Sequence, residues 1–273
     1  MPAILIWERE RGCQYNAPRA GGRGLTSQGA LLANAVYRPC LWKSSFMTDT
    51  PLTTVEIEPA GTARSSVIWM HGLGADAHDF EPIVPELRLP PMLGIRFVFP
   101  NAPVRPVTVN NGMRMRAWYD VLTIDLPRRE DPDGVYASER AIDHLLEREK
   151  QRGIPADRIV LAGFSQGGAM ALHTALRHPD RLAGILALSC YIPLADRLSA
   201  ERRPANQPTP IFMAHGDYDA VIPMRYGQMG AELLEKLGYH VQWRDYGMGH
   251  EVCWEEIRDI ADWLERVLAA PMA

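Results

Sequence analysis

The sequence predicts an α/β protein built on a doubly wound, mostly parallel sheet. Short, unbroken aliphatic runs recur along the chain, and amphipathic helical segments separate them. A strand buried on both faces reads as a continuous apolar run, as in parallel sheets covered by helices. Strand and helix alternate, which favours parallel neighbours with helices on both faces.

The first strand reads from Thr54 to Glu58. VIWM at Val67 to Met70 is the second, bounded by Ser65-Ser66 and His71-Gly72. IRFVF at Ile95 to Phe99 is closed by Pro100, and IVLA at Ile159 to Ala162 follows the turn Pro155-Ala156-Asp157. ILAL (Ile185 to Leu188) and IFMA (Ile211 to Ala214) are two more, and Val241 to Tyr246 alternates. Val135, Ile142, Leu145 and Leu146 mark a helix ending near Gly153. A second spans 167–177, stopped by His178-Pro179, and a third spans 225–237. In the last, 254–268, Ile257, Ile260, Ala261, Leu264, Val267 and Leu268 recur at helical spacing. The expectation is one domain over 47–273, without a large cap. Residues 1–46, rich in Arg, Gly and Ala, show neither strand alternation nor a capped helix. They are expected to be a poorly ordered extension, such as a start codon placed too early would produce. The alternative is an arm packed on the domain.

The chain has 273 residues, 47% hydrophobic and 23% charged, which is ordinary globular composition. The net charge of −4 provides no basic excess to hold a phosphate backbone, so nucleic-acid binding is disfavoured. No apolar run approaches the ~20 residues that span a bilayer. Cys13, Cys40, Cys190 and Cys253 form no CxxC pair, so the cysteines support neither a zinc site nor a disulfide scaffold. The start lacks a basic n-region and an apolar h-region of signal-peptide length, and the protein is expected to be cytoplasmic. No feature requires a homodimer, and none excludes one.

The sharpest motif is Gly163-Phe164-Ser165-Gln166-Gly167, a GxSxG. At ~7% each for Gly and Ser, chance yields the pattern about 0.1 times in a chain this long. It joins the strand RIVLA to the helix GGAMALHTALR, the setting a nucleophile elbow requires. Side chains at 163 and 167 would collide with the neighbouring strand and helix. The helix N-terminus beside Ser165 places partial positive charge near a developing oxyanion.

A serine hydroxyl needs an adjacent base. Of the eight histidines, His144 and His173 lie inside helices, His178 ends one, and His240 begins a strand. These read as packing or surface residues. His78 sits in a loop near a helix start, where a solvated or capping role fits. His71 and His215 follow strands and precede Gly, which suits lining a site. His250, in the loop Gly247-Met248-Gly249-His250-Glu251 before the last helix, is the candidate base. In a Ser…Asp…His chain order the acid falls between them. His215-Gly216-Asp217-Tyr218-Asp219 supplies two carboxylates; Asp219 is favoured and Asp217 is its rival. The oxyanion donors are assigned to the N–H groups of Gln166 and of Leu73, in the glycine-rich loop Met70-His71-Gly72-Leu73-Gly74.

With these pieces in place, five ordered segments resemble the phospholipase/carboxylesterase family of α/β-hydrolases. They are IWMHGLGADAHDF, FPNAPVRPVTVNNGMRMRAWYD, LAGFSQGGAMALH, FMAHGDYDAVIP and YGMGHEVC, and the resemblance covers about residues 52–268. It includes acyl-protein thioesterases, lysophospholipases and small bacterial carboxylesterases. The resemblance implies the α/β-hydrolase fold and a Ser165, Asp219, His250 triad, with Asp219 as the second Asp of its HG-x-x-D pattern. It implies oxyanion donors at Leu73 and Gln166, and a Trp118 that lines the acyl pocket. Trp118 reads equally well as core packing.

The implied reaction is hydrolysis of an ester or thioester through an acyl-enzyme, needing no metal or organic cofactor. The substrate would be a small ester or thioester, a lysophospholipid or an acylated protein. Two alternatives stand beside it: a serine peptidase or amidase on the same fold, and a non-catalytic interaction protein that keeps the fold.

Overall fold

The structure is a computed structural model, and it describes residues 51–123 and 129–269. The expectations for residues 1–46 lie outside the described residues. Seven strands form the main sheet: β1 (Thr54–Ile57), β2 (Ser65–Met70), β3 (Ile95–Pro100), β6 (Ile159–Phe164), β7 (Gly184–Leu188), β8 (Ile211–Gly216) and β9 (Val241–Tyr246). Their spatial order is β1-β3-β2-β6-β7-β8-β9. Among the described residues of this sheet, β1 alone runs antiparallel to its neighbour and the other pairs are parallel. This is the expected mostly parallel sheet, the α/β-hydrolase fold.

Among the described residues five α-helices accompany it: α1 (Pro132–Gln151), α2 (Gln166–Arg177), α3 (Ala195–Glu201), α4 (Arg225–Lys236) and α5 (Trp254–Ala269). Alternate residues of each central strand enter different cores. Ile68, Met70, Leu161, Ile185, Ala187 and Met213 pack with α1 to α4. Val67, Trp69, Val160, Ala162, Leu186 and Phe212 pack with α5 and the 3₁₀ segments Glu81–Leu87 and Pro91–Leu93. Two covered faces explain the unbroken apolar runs. Among the described residues no cap domain is inserted; between β7 and β8 lie only α3 and the 3₁₀ turn Pro204–Asn206. No helix among them is long and apolar enough to cross a membrane. Cys190 and Cys253 are free thiols.

Asp131 caps α1, its side chain accepting the Gly134 N–H, with Pro132 in the first turn. Glu149 of α1 is fully buried and surrounded by cations: Arg96 at 2.9 Å, Arg152 at 2.9 Å and Arg148 at 3.3 Å. That cluster ties α1 to β3, since a buried carboxylate must be paired.

Three elements depart from the sequence reading: α3, whose seven residues show little apolar periodicity, a two-stranded ribbon, and α5. The ribbon, β4 (Val104–Val107) and β5 (Met113–Arg116), stands apart from the main sheet. Its sequences, VRPV and MRMR, carry arginines and a proline where a strand signal needs apolar residues. In α5 the buried face includes Trp263, while Ala261 and Val267 are only partly buried. The Trp263 ring packs 6.0 Å from Phe212. It also lies so close to Gly184 that a Cβ there would meet it at 2.6 Å.

Trp263→Ala is therefore expected to lower unfolding free energy by ~3–5 kcal/mol. Urea denaturation monitored by circular dichroism checks this; a loss below ~1 kcal/mol would mean the contact is not a core anchor.

Candidate active site

Parallel strands deliver their following loops to one edge of the sheet. The order reverses around β2: β3 lies on one side and β6 on the other. Open α/β sheets bind ligands at that crevice, outside the carboxyl ends. Loops after β2, β6, β8 and β9 meet there.

Ser165 is the single residue between β6 and α2, with φ 54° and ψ −120°. For a residue with a Cβ this left-handed backbone is strained by roughly 1–3 kcal/mol. Its N–H donates to Leu188 O at 2.8 Å, and its carbonyl accepts the Ala169 N–H at 3.0 Å. A Cβ at Gly163 would lie 2.2 Å from the Gly167 backbone, and one at Gly167 would lie 2.2 Å from Met70 O. The glycines of the motif thus let β6, α2 and the end of β2 close on the serine.

The loop after β9 is bound to the loop after β8. Tyr218 N–H donates to Met248 O at 3.0 Å, and Asp217 N–H donates to Tyr246 O at 2.9 Å. This brings His250 Nε2 to 2.9 Å from Ser165 Oγ. Its Nδ1 lies 2.6 Å from Asp219 Oδ2. A carboxylate only accepts, so Nδ1 carries the proton and Nε2 offers a lone pair to the serine hydroxyl. The His250 ring packs against Phe164 at 4.7 Å, Phe164 against Phe80 at 5.7 Å, and Phe80 stacks on Trp69 at 5.1 Å.

The two candidate acids part company. Asp217 is exposed, whereas the Asp219 side chain is fully buried. Asp219 Oδ1 accepts the N–H groups of Val221 and Ile222, both at 2.8 Å. Its Oδ2 faces His250 and also His215 Nε2 at 3.3 Å. Burial alone would raise this carboxyl. Hydrogen bonds from His215 and His250, the charge of His250 and the Ile222 N–H together outweigh burial and hold it well below the usual carboxylate range.

Leu73 lies in the loop whose Gly72 approaches Ser165, and Gln166 follows Ser165 directly. Gln166 opens α2, so its N–H belongs to the first turn, where no helical acceptor exists. A Cβ on Gly72 would contact Ser165 Cβ at 3.5 Å, which sets the 71–74 loop against the serine. His71 orients that loop. Its Nδ1–H donates to Gly72 O at 2.7 Å, while its Nε2 accepts the Ala102 N–H at 3.1 Å. Carbonyl and N–H of a trans peptide point in opposite directions, so this bond turns the Leu73 N–H away from His71. Burial, the largest influence, pushes the His71 imidazolium down to about 4 from an ordinary 6.5.

Trp118, expected to line an acyl pocket, has no exposed surface. Its indole N–H donates to His71 O at 3.0 Å, and its ring lies 5.5 Å from the His71 ring. It stands behind the 71–74 loop, where it can hold that loop. The Gln166 side chain reinforces it, accepting the Trp118 N–H at 2.8 Å and donating to Tyr119 O at 2.7 Å. Sequence reasoning missed these supporting roles of His71, His215, Phe164 and the Gln166 amide. The HG dipeptides, just after β2 and at the end of β8, were the available signal for the two histidines.

Residues 53–268 match the family described as Phospholipase/Carboxylesterase. The chain belongs to that family. It is a hydrolase of esters or thioesters with the α/β-hydrolase fold. It is similar to acyl-protein thioesterase 1 of Neurospora crassa, with 44% identity over 210 residues, covering 73% of this chain and 85% of that protein. The crystal structure of Arabidopsis thaliana SOBER1 superposes with a TM-score of 0.72 at 30% identity, covering 76% of this chain and all of that one. Acyl-protein thioesterase 2 of Zea mays superposes with a TM-score of 0.69 at 28% identity, covering 79% of this chain and 99% of that one.

The lowered His71 value sets a pH dependence. Between pH 6.5 and 4 the unfolded chain binds a proton at this histidine that the folded protein does not. Stability is then fully present above pH 6.5 and is lost by about 3 kcal/mol on descending to pH 4. Urea titrations across that range check this against His71→Asn, which should remove most of the slope. An equal slope in both proteins would assign it elsewhere.

Proposed function

We propose that this hydrolase family member cleaves carboxylic esters or thioesters by a two-step reaction at Ser165. His250 Nε2 takes the hydroxyl proton as Oγ attacks the carbonyl carbon. The tetrahedral oxyanion rests on the N–H groups of Leu73 and Gln166, beside the N-terminus of α2. Collapse breaks the bond to the alcohol or thiol, which leaves with the proton held by His250. Water then gives a proton to His250 and attacks the acyl carbon; the Oγ–acyl bond breaks, His250 returns the proton to Ser165 Oγ, and the carboxylic acid is released. Asp219 stays ionised, holds the imidazole tautomer and stabilises the imidazolium. Trp118 serves by supporting the 71–74 loop.

One observation carries this reading: the continuous chain from Ser165 through His250 to Asp219, at 2.9 and 2.6 Å. For substrate, the reading favours an acyl chain on a lipid or a protein thiol. The resemblance to acyl-protein thioesterases supports it, as do two exposed apolar side chains beside Asp219, Tyr218 (75%) and Val221 (57%).

Ser165→Ala is expected to lower kcat on p-nitrophenyl esters by ~10⁴-fold or more with folding intact, and Asp219→Asn by ~10⁴-fold. Wild-type turnover in folded Ser165→Ala would reject the assignment. A rate series over p-nitrophenyl esters of rising chain length, alongside a palmitoyl thioester and a peptide amide, distinguishes acyl hydrolysis from amide cleavage.

A further inference from the structure

The C-terminal ends of α1 and α2 carry a second cluster of chemistry-bearing side chains. It lies at the end of α2 opposite Ser165, ~18 Å along the helix at 1.5 Å per residue. Glu147, His178 and Asp180 each present one ligand atom there, all within 4.8 Å of one another.

Two features set this cluster apart from an ordinary acidic surface. His178, only 4% exposed, has Nδ1 3.2 Å from Asp143 Oδ1. With the ring neutral, a carboxylate against Nδ1 keeps the proton on that nitrogen. Nε2 is buried without a hydrogen-bond partner, 3.9 Å from Asp180 Oδ2, and its lone pair is then open to a cation lying between them. This is also how a second carboxylate orients a metal-ligating imidazole.

The second feature is that a cation position is already marked. Lys150 Nζ lies 2.6 Å from Glu147 Oε1 and 2.6 Å from Asp180 Oδ2. The carboxylates of Asp143, Glu147 and Asp180 outnumber this one ammonium, and the carbonyl ends of two helices add negative potential. His178 is itself the C-cap of α2. The Asn206 side chain donates to the carbonyls of His178 and Asp180, both at 2.9 Å, which fixes the turn.

We propose that Glu147, His178 and Asp180 form a binding site for one Zn²⁺ ion, which takes the place of the Lys150 ammonium. One imidazole nitrogen and two carboxylate oxygens, with water in the fourth position, suit tetrahedral zinc. Glu147 and Asp180 are half-exposed, so their carboxylates can close on the ion. Lys150, on a flexible stem, can swing into water. The bound ion joins the end of α1 to the end of α2, and the proposal is independent of the chemistry at Ser165.

Isothermal titration calorimetry of the full-length protein with zinc chloride at neutral pH tests this, with thermal melts confirming that each variant is folded. The wild type is expected to bind one equivalent at micromolar free zinc. K150M, which removes the competing ammonium, should bind about tenfold more tightly, and E147Q and D180N should each bind about tenfold more weakly. Absence of saturable one-to-one binding to the wild type overturns the proposal. So does an affinity that D180N and K150M both leave unchanged.

Discussion

Ser165 holds φ 54° with ψ −120°, a strained backbone for a residue with a Cβ, and three backbones in near contact keep it there. β6, the first turn of α2 and the end of β2 approach so closely at Gly163 and Gly167 that no side chain fits. The same closeness lifts the Ser165 hydroxyl out of the sheet edge and places the Gln166 N–H at the helix start. The rest of the site is referred to that turn. The 71–74 loop packs against it through Gly72, and His250 rests on Phe164, the residue just before the serine. A change that relaxed the turn would move donor and candidate nucleophile together.

Around the proposed triad the protein spends its buried polar groups on orientation. His71 bonds the Gly72 carbonyl on one side and receives the Ala102 N–H on the other. His215 reaches Ile222 O at 2.7 Å and lies beside the Asp219 carboxylate. Asp219 thereby meets donors at both oxygens, two main-chain N–H groups and two imidazoles. A buried carboxylate so satisfied holds a fixed direction toward His250 and resists protonation. Trp118 and the Gln166 amide do for the 71–74 loop what His215 does for Asp219.

Much of this was legible along the chain. The five inner strands fall on apolar runs, because burial on both faces leaves a local signature, while β1 and β9 at the edges of the sheet are only partly buried. The GxSxG sits between strand and helix, as its glycines require. The β4–β5 ribbon was not legible, since its residues pair with each other while standing outside the main sheet. α3 was missed because seven residues with Asp, Arg and Ser among them show little apolar periodicity. Trp118 read equally well as a wall of the acyl pocket and as core packing; its ring has no exposed surface and its indole N–H donates to His71 O.

By itself the sequence indicated the order of the main-sheet strands and four of the helices, the GxSxG between strand and helix, and a candidate serine, acid and histidine in that chain order. These depend on backbone propensity, apolar periodicity and glycine, all of which act over a few neighbouring residues. The residues alone left Asp217 and Asp219 as rivals, and resemblance favoured Asp219. Tertiary structure separated them by burying one and exposing the other. It likewise decided that His71 faces its own loop and that His178 meets Asp143, Asp180 and, across α1, Glu147. Such pairings are set by strand order, helix packing and rotamer, which bring together groups that no local pattern relates.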